Sequence, residues 1–177
     1  MTYHSVEEIY QAIDETRARL IARAQTLDAA QANFRPDETS WTVAEVVEHL
    51  SLIESGLCRL IGGLVAQAEA AGALAGAFVP FSLAALTARA AGQKFVAPDP
   101  YQPTGAVSIA ASVARLNESR AALRALQTGL EKFELTGFTY PHPAFGPLNG
   151  YQWLAFLGVH EARHAAQIKQ ILAAREV

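Results

Sequence analysis

The sequence predicts an all-α fold of the four-helix-bundle class. Four stretches repeat apolar residues at three- and four-residue intervals, and no stretch alternates with the period of a strand. One long connection rich in Ala, Gly and Pro, within residues 66–105, separates the second helical stretch from the third. The 177 residues are one domain's worth, read as a single domain over 1–177, and a 51% hydrophobic, 18% charged composition is that of a globular chain.

The first helix is expected from about Ser5 to Ala30, where Val6, Ile9, Tyr10, Ile13, Leu20, Ala24 and Leu27 share a face. Arg35, Pro36 and Asp37 then stop the pattern. Thr42 and Glu45 have capping-box spacing and open the second helix, with Trp41 set to pack across its entry. Its stripe runs from Val43 through Leu50 and Leu57 to Leu64. In the connection, 83–91 reads as a short helix, and Pro98, Pro100 and Pro103 make the end extended or turning. A link this long is either a crossover between helices or a substrate lid.

The third helix is expected over 106–130, with Ile109, Val113, Leu116, Leu123, Leu126 and Leu130 on its stripe. Asn117 and Arg120 interrupt its inward side, as a pocket lining or as helix-edge residues. Residues 131–150 read as a loop, because Pro141, Pro143, Gly146 and Pro147 oppose regular structure. Asn149, with Gln152 three residues on, caps the fourth helix.

The net charge of −3 and the absence of any Lys/Arg run argue against nucleic acid as a partner. The single cysteine, Cys58, excludes an internal disulfide and a Cys-rich zinc module, and reads as a buried thiol. With an N-terminus unlike a secretion signal, it points to the cytoplasm. Residues 70–88 carry no charge over about the length of a bilayer span, but Ala and Gly dominate them and Pro80 interrupts them, so a soluble connection is expected and no membrane.

His160 and His164 stand one turn apart on the stripe shared with Leu157 and Ile168, about 6 Å apart along the axis. A buried imidazole needs partners for both nitrogens, and one divalent cation would serve a nitrogen of each ring. The run H-E-A-R-H also has the zincin spacing H-E-x-x-H. Gln167 and Gln170 stand where a metzincin needs Gly and His, and the short remaining tail offers only Glu176 as an acidic ligand, so a protease is not expected. A third ligand must come from upstream, and His49, on the inner side of the second helix, is the candidate. Three imidazoles would leave positions open for water or substrate, as catalytic rather than structural sites do. The alternative is a trio of hydrogen-bonded core histidines.

The segment SWTVAEVVEHL (40–50) resembles the second-helix signature of the DinB-like (DinB/YfiT) superfamily. HPAFGPL (142–148), WLAF (153–156) and HEARHAAQI (160–168) resemble its C-terminal signature. The resemblance implies an up-up-down-down bundle and a divalent metal, commonly nickel or zinc, held by His49, His160 and His164. It implies homodimers in some members. It also implies thiol-dependent activity in the members whose reaction is known, such as bacillithiol transferases and mycothiol-dependent isomerases, with hydrolases suspected among others. Residues 66–100 match nothing in that pattern.

His142 could reach the pocket mouth or fix its loop by a hydrogen bond. Glu45 should close the Thr42 cap, with a contact to a metal-binding histidine as the alternative. Glu161 points about 100° round the helix from His160 and should pair with a base elsewhere. Two functions remain open: a metal-dependent enzyme acting on a small molecule, with a low-molecular-weight thiol as possible co-substrate, or a non-catalytic bundle that binds metal or ligand. Imidazole alone does not choose between nickel, zinc, iron and manganese.

Overall fold

The computed structural model describes residues 1–90 and 95–176. The elements in order are β1 (Thr2–Tyr3), α1 (Val6–Gln25), α2 (Ala29–Ala32), α3 (Val43–Ala70), β2 (Phe81–Ser82), α4 (Ala84–Ala90), a 3-10 turn (Asp99–Tyr101), α5 (Ile109–Ala125), α6 (Gln127–Lys132), β3 (Thr139–His142), β4 (Gly146–Asn149) and α7 (Gly150–Arg175). The four long helices, α1, α3, α5 and α7, are the expected bundle.

Their boundaries follow local chemistry. Ser5 caps α1, and its hydroxyl accepts from the Glu8 N–H. The pattern expected to run to Ala30 ends at Gln25, because Asp28 and Gln31 form a capping box that starts α2 afresh. Capping boxes of Thr42 with Glu45 and of Asn149 with Gln152 open α3 and α7 as expected. The third helix begins later than position 106: Gly105 has φ +73° and Ser108 is the cap. It also breaks at Leu126 into α5 and α6. Of the short helix expected over 83–91, α4 is described and Ala91 lies outside the described residues.

The helix directions differ from the expected up-up-down-down. Glu54 meets Arg120, Gly62 meets Leu126 and Val65 meets Gly129, so α3 and α5 are parallel. Ile13 lies on Gly158 and Arg17 on Glu161, so α1 and α7 are parallel. Tyr10 bonds the Leu123 carbonyl while Arg17 bonds that of Leu116, so α1 opposes α5. The order is up-down-down-up. The physical reason is the placement of the long link. A chain leaving the far end of the 28-residue α3 must travel about 40 Å back before α5 can start beside the beginning of α3.

That return path is tied down at several points. Ala75 donates to the Lys132 carbonyl and Glu134 to that of Ala73. β2 then pairs with β1, Tyr3 opposite Phe81. The stretch 70–88 is therefore turn, short strand and the start of α4. Among the described residues, the helix apolar and long enough to cross a membrane by composition is instead α3, whose apolar side is covered by α5 and α7.

The second departure is in 131–150, expected to be loop. β3 and β4 pair antiparallel from Thr139↔Asn149 to His142↔Gly146. Pro141 and Pro147 stand opposite each other; having no N–H, they can pair only at a non-hydrogen-bonded position of the ribbon, where a donor would face away from the partner strand and none is missed. Gly146 supplies φ +75° at the turn. The Trp153 indole N–H donates to the Tyr140 carbonyl and pins the hairpin to α7.

The core is two apolar halves with a charged layer between them. One half holds Ile13, Leu57, Leu123 and Leu157; the other holds Leu20, Leu50, Leu116 and Ile168. On every long helix the switch between halves falls at one charged residue: Arg17, Glu54, Arg120 and Glu161. All four are buried. Arg17 bonds both Glu54 and Glu161, and Arg120 bonds Glu54 at 2.8 Å and Glu161 at 3.2 Å. Two guanidinium groups against two carboxylates make the layer neutral, with Asp14 and Arg124 extending it outward. Burial pushes the Glu161 pKa up, against the pull of Arg17 and Arg120. Burial works against the Arg120 charge, but Glu54 and Glu161 leave its pKa raised. Arg120 is thus a core residue, whereas Asn117 is exposed on the outer face.

Removing one carboxylate leaves two buried guanidiniums short of a partner. Glu54→Ala should destabilise the fold by about 3–5 kcal/mol in urea unfolding. Glu15→Ala, which breaks an exposed pair with Arg19, should change it by less than about 0.5 kcal/mol.

Candidate metal centre

The three histidines singled out in the sequence come together beside the charged layer. His49 projects from α3, five residues before Glu54; His160 and His164 project from α7 on either side of Glu161. One ring nitrogen from each lies within 4.8 Å of the other two. Ring centroids are 5.3 Å apart for His49 and His160, 4.9 Å for His49 and His164, and 4.5 Å for His160 and His164. His49 and His164 are buried and His160 is half-buried. Trp41 covers one side, 4.9 Å from His49 and stacked 6.4 Å from His164.

Hydrogen bonds set the tautomers. His49 Nδ1 is 2.7 Å from the Tyr101 carbonyl, an acceptor, so Nδ1 carries the proton and Nε2 keeps its lone pair. His164 Nδ1 is 2.7 Å from the Gln167 side-chain oxygen, with the same consequence. His164 Nε2 faces His160 Nε2 at 3.2 Å. Two lone pairs at that distance repel unless a proton or a cation lies between them. For a cation bound at about 2.0–2.1 Å in tetrahedral geometry, neighbouring nitrogens stand about 3.3 Å apart, so the pair fits a shared ion.

The electrostatics favour the ligand form. Burial lowers the His49 pKa, partly offset by the Tyr101 carbonyl. Burial, then the charge of His49, brings His164 down to about 4. His160 is held well below its usual value by burial and by the two other rings. Neutral imidazoles at neutral pH are what a divalent cation requires.

The remaining sequence candidates lie elsewhere. Glu45 accepts from the Thr42 N–H at 2.7 Å and pairs with Arg35 at 2.6 Å, so it closes the cap and bonds no histidine among the described residues. His142 takes the loop-fixing role: its Nδ1 accepts from the Ala144 N–H at 3.0 Å across the hairpin tip. Its ring packs 4.8 Å from Phe156, which in turn lies 6.0 Å from His160. Glu161 faces Arg17 and Arg120, as its angle round the helix required. Cys58 is half-buried against the first core half, and burial raises its pKa.

Sequence reasoning missed the residues that orient the imidazoles. Gln167 was legible in principle, three residues beyond His164 on the same face. The Tyr101 carbonyl was not, since any residue type offers one.

A family model of the DinB superfamily matches residues 12–168. The Bacillus subtilis (strain 168) protein YuaE is 27% identical over 161 residues, spanning 89% of this chain and 93% of its own length. The crystal structure of TT2238, a four-helix bundle protein, superposes with a TM-score of 0.64 at 23% identity, covering 94% of this chain and 99% of that one. That likeness establishes the four-helix-bundle fold, and the family match covers both helices that carry the histidines. This chain belongs to the DinB superfamily.

Proposed function

We propose that this chain binds one divalent cation, nickel or zinc ahead of iron or manganese, through His49, His160 and His164. We further propose that it acts there on a small molecule as a metal-dependent enzyme of the thiol-dependent transferase or hydrolase type. The observation that carries the reading is the convergence of three neutral imidazoles, two with their Nδ1 protons already committed to oxygen acceptors. The donor set is nitrogen only and three in number, which leaves positions for an exchangeable ligand. A cation held there supplies Lewis-acid chemistry, lowering the pKa of a water or thiol that reaches an open position.

The chain's own side chains limit how protons move. Glu45 is paired with Arg35, and Glu161 with Arg17 and Arg120 through its Oε1, and these guanidinium groups oppose the uptake of a proton by either carboxylate. His142 spends Nδ1 on the hairpin and keeps Nε2 for a hydrogen bond to a bound molecule. Trp41 and Phe156 flank the imidazoles and exclude water on those sides. The single cysteine and acidic balance suit a cytoplasmic protein, and a homodimer would accord with the family.

A second reading, a non-catalytic metal- or ligand-binding bundle, has one observation in its favour. A cleft of about 510 Å³ beside Ser5, Phe78 and Tyr151, and one of about 260 Å³ between α1 and α7, are both lined by residues other than the three histidines.

His49→Ala, His160→Ala and His164→Ala should each abolish stoichiometric metal in untagged protein, read by elemental analysis, while His142→Ala retains it. Full retention by all three would sink the site. Nickel or zinc at a hundredfold excess over Kd should stabilise the wild type by about 2.7 kcal/mol and leave His49→Ala unchanged, read as a shift in Tm. Metal-dependent turnover of a thiol with an electrophile, reduced in His142→Ala at full metal loading, separates the enzyme from the binding bundle. No turnover with any thiol, ester or amide tried would favour the second reading.

A further inference from the structure

The long crossover between α3 and α5 ends in a segment laid back along α3. Tyr101 sits against Gly56: a Cβ there would lie 2.7 Å from the Tyr101 Oη and 2.8 Å from its Cε1, so the ring occupies the space a side chain would take. Four residues on, Gly105 lies against Glu45, where a Cβ would stand 3.1 Å from Oε1, and its φ of +73° suits glycine. Between them, the carboxylate of Glu48 gathers the chain. Its Oε1 accepts from the Thr104 N–H at 3.0 Å and the Thr104 hydroxyl at 2.7 Å, and its Oε2 accepts from the Gly105 N–H at 3.0 Å. Glu48 is 1% exposed, next in sequence to His49, and has no arginine or lysine partner among the described residues. A buried carboxylate serving three donors of one loop is a costly arrangement unless the loop's position matters.

The same segment supplies the carbonyl that holds the His49 ring. Tyr101 is fixed on one side by its seat on Gly56 and on the other by the Glu48 anchor at Thr104 and Gly105. Its carbonyl then has one place to be, 2.7 Å from His49 Nδ1. The loop is therefore built to present an acceptor, and the acceptor dictates which nitrogen of His49 turns toward His160 and His164.

We propose that residues 99–105 form a positioning strap for His49, anchored by the Glu48 carboxylate and the Tyr101 ring, which sets the imidazole's tautomer and orientation before any ligand arrives. Its consequence for affinity rests on the metal reading; its effect on the tautomer does not. Glu48 is a positioning residue, acting on the site only through the strap.

The test pairs side-chain 15N NMR of metal-free protein with zinc titration. Wild type should show His49 as the Nδ1–H tautomer. Glu48→Ala removes the anchor. Tyr101→Ala keeps the carbonyl but removes its seat, with no buried charge disturbed, so it stands in should Glu48→Ala fail to fold. Either variant should show mixed His49 tautomers and bind zinc about 10–100-fold more weakly. Leu123→Ala, a core truncation away from the strap, should lose stability yet keep the wild-type tautomer and an affinity within about twofold. An unaltered Nδ1–H tautomer in the strap variants would overturn the proposal, and so would a lost tautomer at unchanged zinc affinity. If wild type binds no zinc, the metal reading fails, and the tautomer comparison still decides whether the strap positions His49.

Discussion

The bundle depends on the charge layer of Arg17, Glu54, Arg120 and Glu161. Each long helix contributes one member, and none of the four can be satisfied by its own helix. A layer of this kind is weak as a source of net stability, because desolvating four charges offsets most of their attraction. What it supplies is register. Apolar stripes can slide or rotate past one another at small cost, whereas a guanidinium bonded to carboxylates on two other helices admits few arrangements. Sliding α7 by one turn would carry Glu161 away from both arginines and leave Glu54 as the carboxylate that Arg17 and Arg120 share.

That register places the histidines. His49 and Glu54 share α3, and His160, Glu161 and His164 share α7, so holding Glu54 and Glu161 to common arginines also holds the imidazoles at a fixed separation. The charged layer and the nitrogen cluster are adjacent levels of one polar band. Below the band the core closes on Ile61 and Leu154; above it, on Val46 and Ile168. The site sits beside the charged layer, where two buried rings and the half-buried His160 share the polar band.

Much of this was legible before any coordinates. The four helices, the caps at Thr42 and Asn149, and the candidate trio of His49, His160 and His164 follow from spacing and from family resemblance. Each rests on local rules, namely 3.6-residue periodicity, side chains that cap free N–H groups, and i to i+4 adjacency. The hairpin at 139–149 was illegible because single prolines look like breakers, and only the pairing reveals that Pro141 and Pro147 share a position where no ladder donor is needed. The helix order was mistaken for a similar reason: link length permits several directions, and contacts alone choose among them.

By itself the sequence determined that four long helices form, that Thr42 and Asn149 cap two of them, which faces are apolar, and that two imidazoles share a turn of the last helix. These are properties of short windows, within which chain connectivity holds the distances. Only the tertiary structure decided that Arg17 and Arg120 bridge Glu54 and Glu161, that His49 meets the C-terminal pair, and that a backbone carbonyl 52 residues downstream orients it. Those partners are brought together by packing, and a main-chain oxygen carries no residue signature that a pattern could read.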